Sequence, residues 1–147
     1  MAHGKLNPPV SRRPPAAQGG TAVLDSEGFS RLVDDSPPVV ALIAEARARG
    51  MEVVVSALTI IEATHRKTNR TRLNWLLSGI RIEHVDETAA RAASAILLDT
   101  GLHGHKYAID AVVAEMVLRQ PAPVVVLTSD ADDMSTLCGP AVRIIPL

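Results

Sequence analysis

The sequence predicts an α/β fold, a parallel sheet covered by helices on both faces. Three observations predict it. From Thr21 onward, short β-branched runs alternate with helical patterns, as strands joined by crossover helices do. Val124 to Leu127 is apolar at every position, which suits a strand buried on both faces. Helix-start and helix-stop residues also fall between the runs at the places such a fold needs them.

In order, TAVLD at 21–25 is an apolar strand that ends in an acid, and helical signals follow over Phe29 to Val33. Ser36-Pro37-Pro38 opens a second helix with proline in its first turn. That helix sets Val39, Leu42, Ile43 and Ala46 on one face, and Gly50 ends it. Met51 to Val55 is the second strand, with Ser56 as N-cap of a helix whose stripe reads Leu58, Ile61, Glu62 and His65. Leu73 to Leu77 is a further short helix, and Arg81 to Val85 a third, alternating strand. Asp86 caps an alanine-rich helix with Ala89, Ala93, Ile96 and Leu97 inward, closed by Gly101. After the loop LHGHK, Tyr107 to Arg119 is helical with Ile109, Val112, Val113 and Met116 inward. The strand 124–127, a short helix over Asp132 to Leu137 and a last strand over Val142 to Ile145 complete the chain, with no internal repeat.

A chain of 147 residues is one domain's worth, long enough for a real core. With Phe29, Trp75 and Tyr107 as its only aromatics, that core must be aliphatic. The net charge of −1 announces no polyanion binder, so any such affinity has to come from local clustering. The lone Cys138 excludes an intramolecular disulfide and a cysteine-rich zinc site, and fits a reducing cytoplasm. No apolar run reaches the length of a membrane span. Residues 1–20, rich in Pro, Gly and Arg, have no hydrophobic stretch and read as a flexible extension to a domain over 21–147. An overlong start or a simple tail is preferred there to an arm contacting nucleic acid.

Ligands of an open parallel sheet bind beyond the carboxyl ends of its strands, where strand order reverses. Asp25 ends the first strand and Thr128-Ser129-Asp130 the fourth. With strand order 3-2-1-4-5 these two strands are neighbours at the switch point. Glu62 continues an apolar stripe, and Asp110 shares a face with Val113 and Val117. Charges turned toward a core are costly unless paired or bound to metal. Both helices begin at the same sheet edge as Asp25 and Asp130. Four carboxylates in one pocket repel one another and raise each other's pKa. A hard divalent cation, Mg²⁺ or Mn²⁺, removes that problem and can activate water against a phosphodiester. Each acid also has an ordinary structural role open to it. Asp25 and Asp130 can cap the helices that follow them, with Asp133 then the rival fourth ligand. Glu62 can pair with Arg66, and Asp110 with Lys106.

The opening VLDS at 23–26, TIIEA at 59–63, AIDAVVA at 108–114 and LTSDADDM at 127–134, in this order and spacing, resemble the PIN-domain family. Within it the resemblance is to the VapC-like toxins of type II toxin–antitoxin pairs, and it covers residues 21 to about 145. It implies a Rossmann-like sheet and RNA cleavage dependent on Mg²⁺ or Mn²⁺. It makes Asp25, Glu62, Asp110 and Asp130 metal ligands, with Ser26 and Thr128 as supporting hydroxyls. It further implies a homodimer and inhibition by a small antitoxin protein. The sequence departs from the family at Glu27-Gly28, where small or aliphatic residues are commoner, at Tyr107, where some relatives carry an acid, and in its Pro/Arg-rich start.

Between His65 and Arg72, the residues Arg66, Lys67, Arg70 and Arg72 stand without an acid, beginning one helical turn after Glu62. They are candidates for holding an RNA backbone, and equally a solvated face. Trp75 reads as core in preference to a base-stacking platform, and His103 and His105 as polar loop surface in preference to ligands. Competing functions fit less well. A haloacid-dehalogenase-like phosphatase wants a second Asp where Glu27 stands, and a lysine between Thr128 and the later acids. A response-regulator receiver wants paired acids ahead of its phospho-accepting Asp. A catalytically degenerate PIN-like module that binds a partner shares the layout, but has no need of converging acids.

Overall fold

The computed structural model describes residues 19–147; the expectation for the extension falls mostly outside the described residues. Five parallel strands form one sheet: β1 (Thr21–Leu24), β2 (Glu52–Ser56), β3 (Arg81–Glu83), β4 (Val124–Thr128) and β5 (Arg143–Pro146). Their order is β3-β2-β1-β4-β5, as expected. The helices are α1 (Ser26–Val33), α2 (Pro37–Ala48), α3 (Ala57–Ala63), α4 (Arg70–Ser78), α5 (Glu87–Thr100), α6 (Gly104–Leu118) and α7 (Ala131–Cys138). Asp25, Ser56 and Asp86 cap α1, α3 and α5 by accepting from the N–H groups of Gly28, Leu58 and Ala89.

The two-residue period of the strands divides the core into two halves. Leu24, Val53, Val55 and Leu127 face one way, onto Phe29, Leu32, Val39, Ile43, Leu73 and Leu76 from α1, α2 and α4. Val23, Val54, Val124 and Val126 face the other way, onto Val113, Met116, Val117, Met134 and Leu137 from α6 and α7. Burying one such aliphatic side chain contributes on the order of 1.5–3 kcal/mol, so both faces of β1 and β4 are committed. At the start of β1 the positive φ of Gly20 (99°), with Pro123 O where a Cβ would sit, admits no other residue cheaply.

Four local expectations are corrected. Helix α6 begins at Gly104, since the N–H groups of Lys106 and Tyr107 already bond His103 O; Tyr107 (φ −110°, ψ 16°) then interrupts it. Strand β3 stops at Glu83 because only three of its residues pair with β2. Ile61, expected on an inward stripe with Glu62, is 69% exposed; Thr59 and Ala63 are the buried pair of the short α3. Trp75 is 65% exposed, because Leu73 and Leu76 take the inward face of α4.

Edge strand β3 is tied to the end of α6 by charge. Glu83 accepts hydrogen bonds from Gln120 Nε2 (3.0 Å), from Arg119 Nη1 (3.1 Å) and from Arg81. Burial works to raise the Glu83 carboxyl, but the donors Gln120, Arg81 and Arg119 outweigh it and hold it at about 2. A depressed folded-state value contributes stability above the ordinary carboxylate range that is lost as pH falls from about 4.5 toward 2. Glu83→Gln should therefore cost roughly 1–3 kcal/mol at pH 7 and much less near pH 2. Urea denaturation of both proteins across that range checks it; a deficit independent of pH would show that the charge is not what matters.

Candidate metal centre at the strand ends

The site begins with backbone pairing. Leu24 and Leu127 are directly opposed in the β1–β4 ladder, and the Asp25 N–H continues it by bonding Leu127 O at 3.2 Å. Asp25 and Thr128 therefore stand side by side where the two strands end. The Asp25 carboxylate, nearly buried, accepts from Gly28 N (2.8 Å), from the Thr128 hydroxyl and from the backbone N–H of Ser129. Fully buried Thr128 in turn accepts from Asp130 N at 2.8 Å, so one hydroxyl fixes both acids. The capping role foreseen for Asp25 is real and coexists with its place in the site. Asp130 occupies the cap position of α7 without a side-chain cap bond, leaving its carboxylate available.

Gly28 explains one departure noted in the sequence. A Cβ there would stand 3.0 Å from Leu127 O, 3.1 Å from Leu24 Cδ2 and 3.4 Å from Asp25 Oδ1. A side chain at 28 would press α1 off the sheet at the point where Asp25 is held.

Asp25, Ser26, Glu27, Glu62, His105, Lys106, Asp110 and Asp130 line one cavity of about 480 Å³. All four acids singled out from the sequence are among them. Glu62 reaches it as an exposed side chain, accepting from Ser26 Oγ, and not as the inward charge expected. Asp110 is half-buried on the second turn of α6, just past the interruption at Tyr107. Asp133 lines a neighbouring cavity with Ser129, Asp130 and Asp132, and its charge also acts on Asp110. Neither a Glu62–Arg66 nor an Asp110–Lys106 ion pair forms among the described residues.

The acids act on one another electrostatically. Burial raises the Asp110 carboxyl, and the charges of Asp130, Asp133, Glu62 and Asp25 add to it, bringing it to about 6. Burial, with the Asp130 charge adding, also raises Asp25 against the hydrogen bonds from Thr128 and Gly28. An all-oxygen, multiply anionic donor set suits a hard divalent cation and not a soft one. Among the described residues, no three His, Cys, Asp or Glu side chains are gathered closely enough to hold an ion as they stand. Glu62 and Asp130 are both exposed side chains at the rim of the cavity. Cys138 is no ligand: it is buried in the core, which pushes its thiol up to about 11.

The basic segment lies elsewhere. Arg66, Lys67 and Arg70 are exposed, and none of the four basic residues lines the cavity. Arg72 donates to Val33 O (2.9 Å) and Leu32 O (3.1 Å) and pairs with Asp35 (3.1 Å). These partners are at the end of α1 farthest from Asp25, roughly 12 Å along an eight-residue helix. Lys106 and His105 line the cavity itself, although the sequence favours His105 as polar loop surface and offers Lys106 only as a partner of Asp110. The signal for Lys106 is its spacing of four residues to Asp110, which also fits an ordinary helical ion pair.

No family model matches the chain, and no curated protein matches its sequence. Among solved structures, it is similar to a chain in the crystal structure of VapBC2 from Rickettsia felis bound to a DNA fragment from their promoter. The TM-score is 0.64 at 14% identity, covering 86% of this chain and 98% of that one. At that identity the likeness establishes a shared α/β fold.

The raised Asp110 has a consequence for stability. A folded-state value of about 6 against 3.8 means that ionising Asp110 opposes folding, so stability is lost as pH rises through that window. Asp110→Asn should then be more stable than wild type in EDTA at pH 7, by roughly 1–2 kcal/mol after allowance for solvent screening. The gain should vanish below about pH 4. Chemical denaturation at pH 7 and pH 4 measures it; a variant less stable at pH 7 would mean that Asp110 has a cationic partner.

Proposed function

We propose that this chain is a metal-dependent endoribonuclease of the PIN type, the toxin of a toxin–antitoxin pair, working in the cytoplasm. The single observation supporting the chemistry is that Asp25, Glu62, Asp110 and Asp130 line one cavity at the strand ends, where the charges of the other three help to raise Asp110. A folded domain keeps such self-repulsion where a cation or substrate uses it. The sequence motifs and the fold shared with the VapBC2 chain support the family reading. That reading brings a small antitoxin protein and a homodimer as partners. Among the described residues, no helix is long and apolar enough to cross a membrane.

In this reading Asp25, Asp110 and Glu62, with Asp130, hold Mg²⁺ or Mn²⁺. Bound by these residues, such an ion would supply charge neutralisation, polarisation of the phosphodiester and activation of water. The chain's own residues supply placement. Thr128 holds the Asp25 carboxylate and the Asp130 backbone in fixed relation, and Ser26 orients Glu62. Arg66, Lys67 and Arg70, away from the cavity, follow the RNA backbone beyond the cleaved bond; Arg72 braces α4 against α1.

Glu62→Gln and Asp110→Asn should each lose metal-dependent RNA cleavage by orders of magnitude while folding normally. Mg²⁺ or Mn²⁺ should raise the melting temperature of wild type, and Asp25→Asn should abolish most of that shift. Cleavage of a labelled RNA and thermal melts with and without metal make the test. Wild-type cleavage rates in both amide variants would remove these acids from the reaction. Metal binding without any cleavage would favour a degenerate, partner-binding module.

A further inference from the structure

The proposed nuclease reading leaves a gap at the cavity. A phosphodiester entering a wall of carboxylates meets repulsion, and the cations marked in the sequence are elsewhere. Among the residues lining the cavity, five are acids: Asp25, Glu27, Glu62, Asp110 and Asp130. Glu27 is neutralised by Arg31 at 2.9 Å, and Lys106 is the one lysine or arginine in the lining.

Three features set Lys106 apart from an ordinary surface lysine. First, it forms no ion pair among the described residues, although Asp110 stands four positions on. That spacing pairs side chains only on a continuous helix, and Tyr107, with its non-helical backbone (φ −110°, ψ 16°), stands between them. Second, its Nζ lies over the Tyr107 ring, 5.1 Å from the centroid, a contact that favours a cation without satisfying its three N–H donors. Third, the first turn of α6, Gly104 to Tyr107, is offset by that interruption from the rest of the helix, whose next turn carries Asp110. Acid and base thus occupy one wall without neutralising each other.

Resting on the nuclease reading, we propose that Lys106 is the substrate-phosphate contact of the cavity. Its ammonium holds a non-bridging oxygen of an RNA phosphodiester, and the Tyr107 ring keeps it directed there. The interruption at Tyr107 belongs to the device, because a continuous helix would let Asp110 capture the lysine.

The test is binding and cleavage of a labelled single-stranded RNA of mixed sequence. Affinity is measured by anisotropy with Mg²⁺ at several KCl concentrations, in the Glu62→Gln background so that the RNA stays intact. Lys106→Gln should weaken binding several-fold at low salt and lower the slope of log K against log salt by about 0.7, the loss of one phosphate contact. In the otherwise wild-type chain it should raise KM with kcat changed less than about three-fold. Lys106→Arg should restore most of the affinity. Lys106 is exposed, so an unchanged melting temperature will show the fold intact. Affinity, salt slope and KM all at wild-type values, in a protein whose unmodified form binds and cleaves, would overturn the role of Lys106 alone. Failure of the unmodified protein to bind or cleave RNA under any metal condition would overturn the nuclease reading, and this inference with it.

Discussion

The structure depends on the parallel pairing of β1 with β4, two strands far apart in sequence that end level with each other. Leu24 opposes Leu127, and Asp25 N bonds Leu127 O, so the next residues out of the sheet are necessarily neighbours. Thr128 then turns adjacency into fixed geometry, because a fully buried hydroxyl must use its hydrogen-bonding capacity and finds Asp25 on one side and Asp130 N on the other. Everything else in the site is brought to this pair. Helix α3 leaves β2, next to β1, and carries Glu62. Helix α6 runs back toward β4 from the same edge and carries Asp110.

The arrangement costs stability locally, and the core offsets it. Asp25 and Asp110 both have raised carboxyls because burial and like charges disfavour ionisation together. Against that stand two apolar layers with the sheet between them, and helices capped by their own side chains. Asp25 shows how the opposing demands meet in one residue. Its Oδ1 accepts the Gly28 N–H and so stabilises α1 as any cap does, while the same carboxylate lines the cavity. The absence of a side chain at Gly28 permits both, since a Cβ would meet Leu127 O at 3.0 Å.

Much of this was legible in the sequence, for reasons that also mark the limit of such reading. A parallel sheet follows from strands alternating with helices, and the order 3-2-1-4-5 is the supposition that makes the two acid-ended strands neighbours. Caps such as Ser56 and Asp86 follow from local chemistry. The inward faces of short helices did not follow. Helix α3 has seven residues, fewer than two full turns, so Leu58-Ile61-Glu62 and Thr59-Ala63 are both acceptable stripes; only packing chooses the second. Trp75 misled for a related reason. A large apolar residue looks like core, but Leu73 and Leu76 already define the buried side of α4 and leave the indole outside. Glu62 thus reaches the expected sheet edge as an exposed side chain and not through the burial its apolar stripe suggests.

Lys106 and Arg72 carry that limit further, because a basic residue's partner is a tertiary fact. Arg72 stands in a run free of acids, which suggests an available cation. Yet the end of α1, with Leu32 O, Val33 O and Asp35, comes from some forty residues earlier in the chain to take it. Lys106 has an acid four residues away, which suggests a neutralised pair, yet a single non-helical residue separates the two. The helix that carries Asp110 packs on one face of the sheet, against Val54 and Val126, while α1, capped by Asp25, packs on the other through Phe29 and Leu32. The cavity is therefore a meeting of the two layers across the strand ends. A ligand held by residues from both layers would tie them together where the sheet itself no longer does.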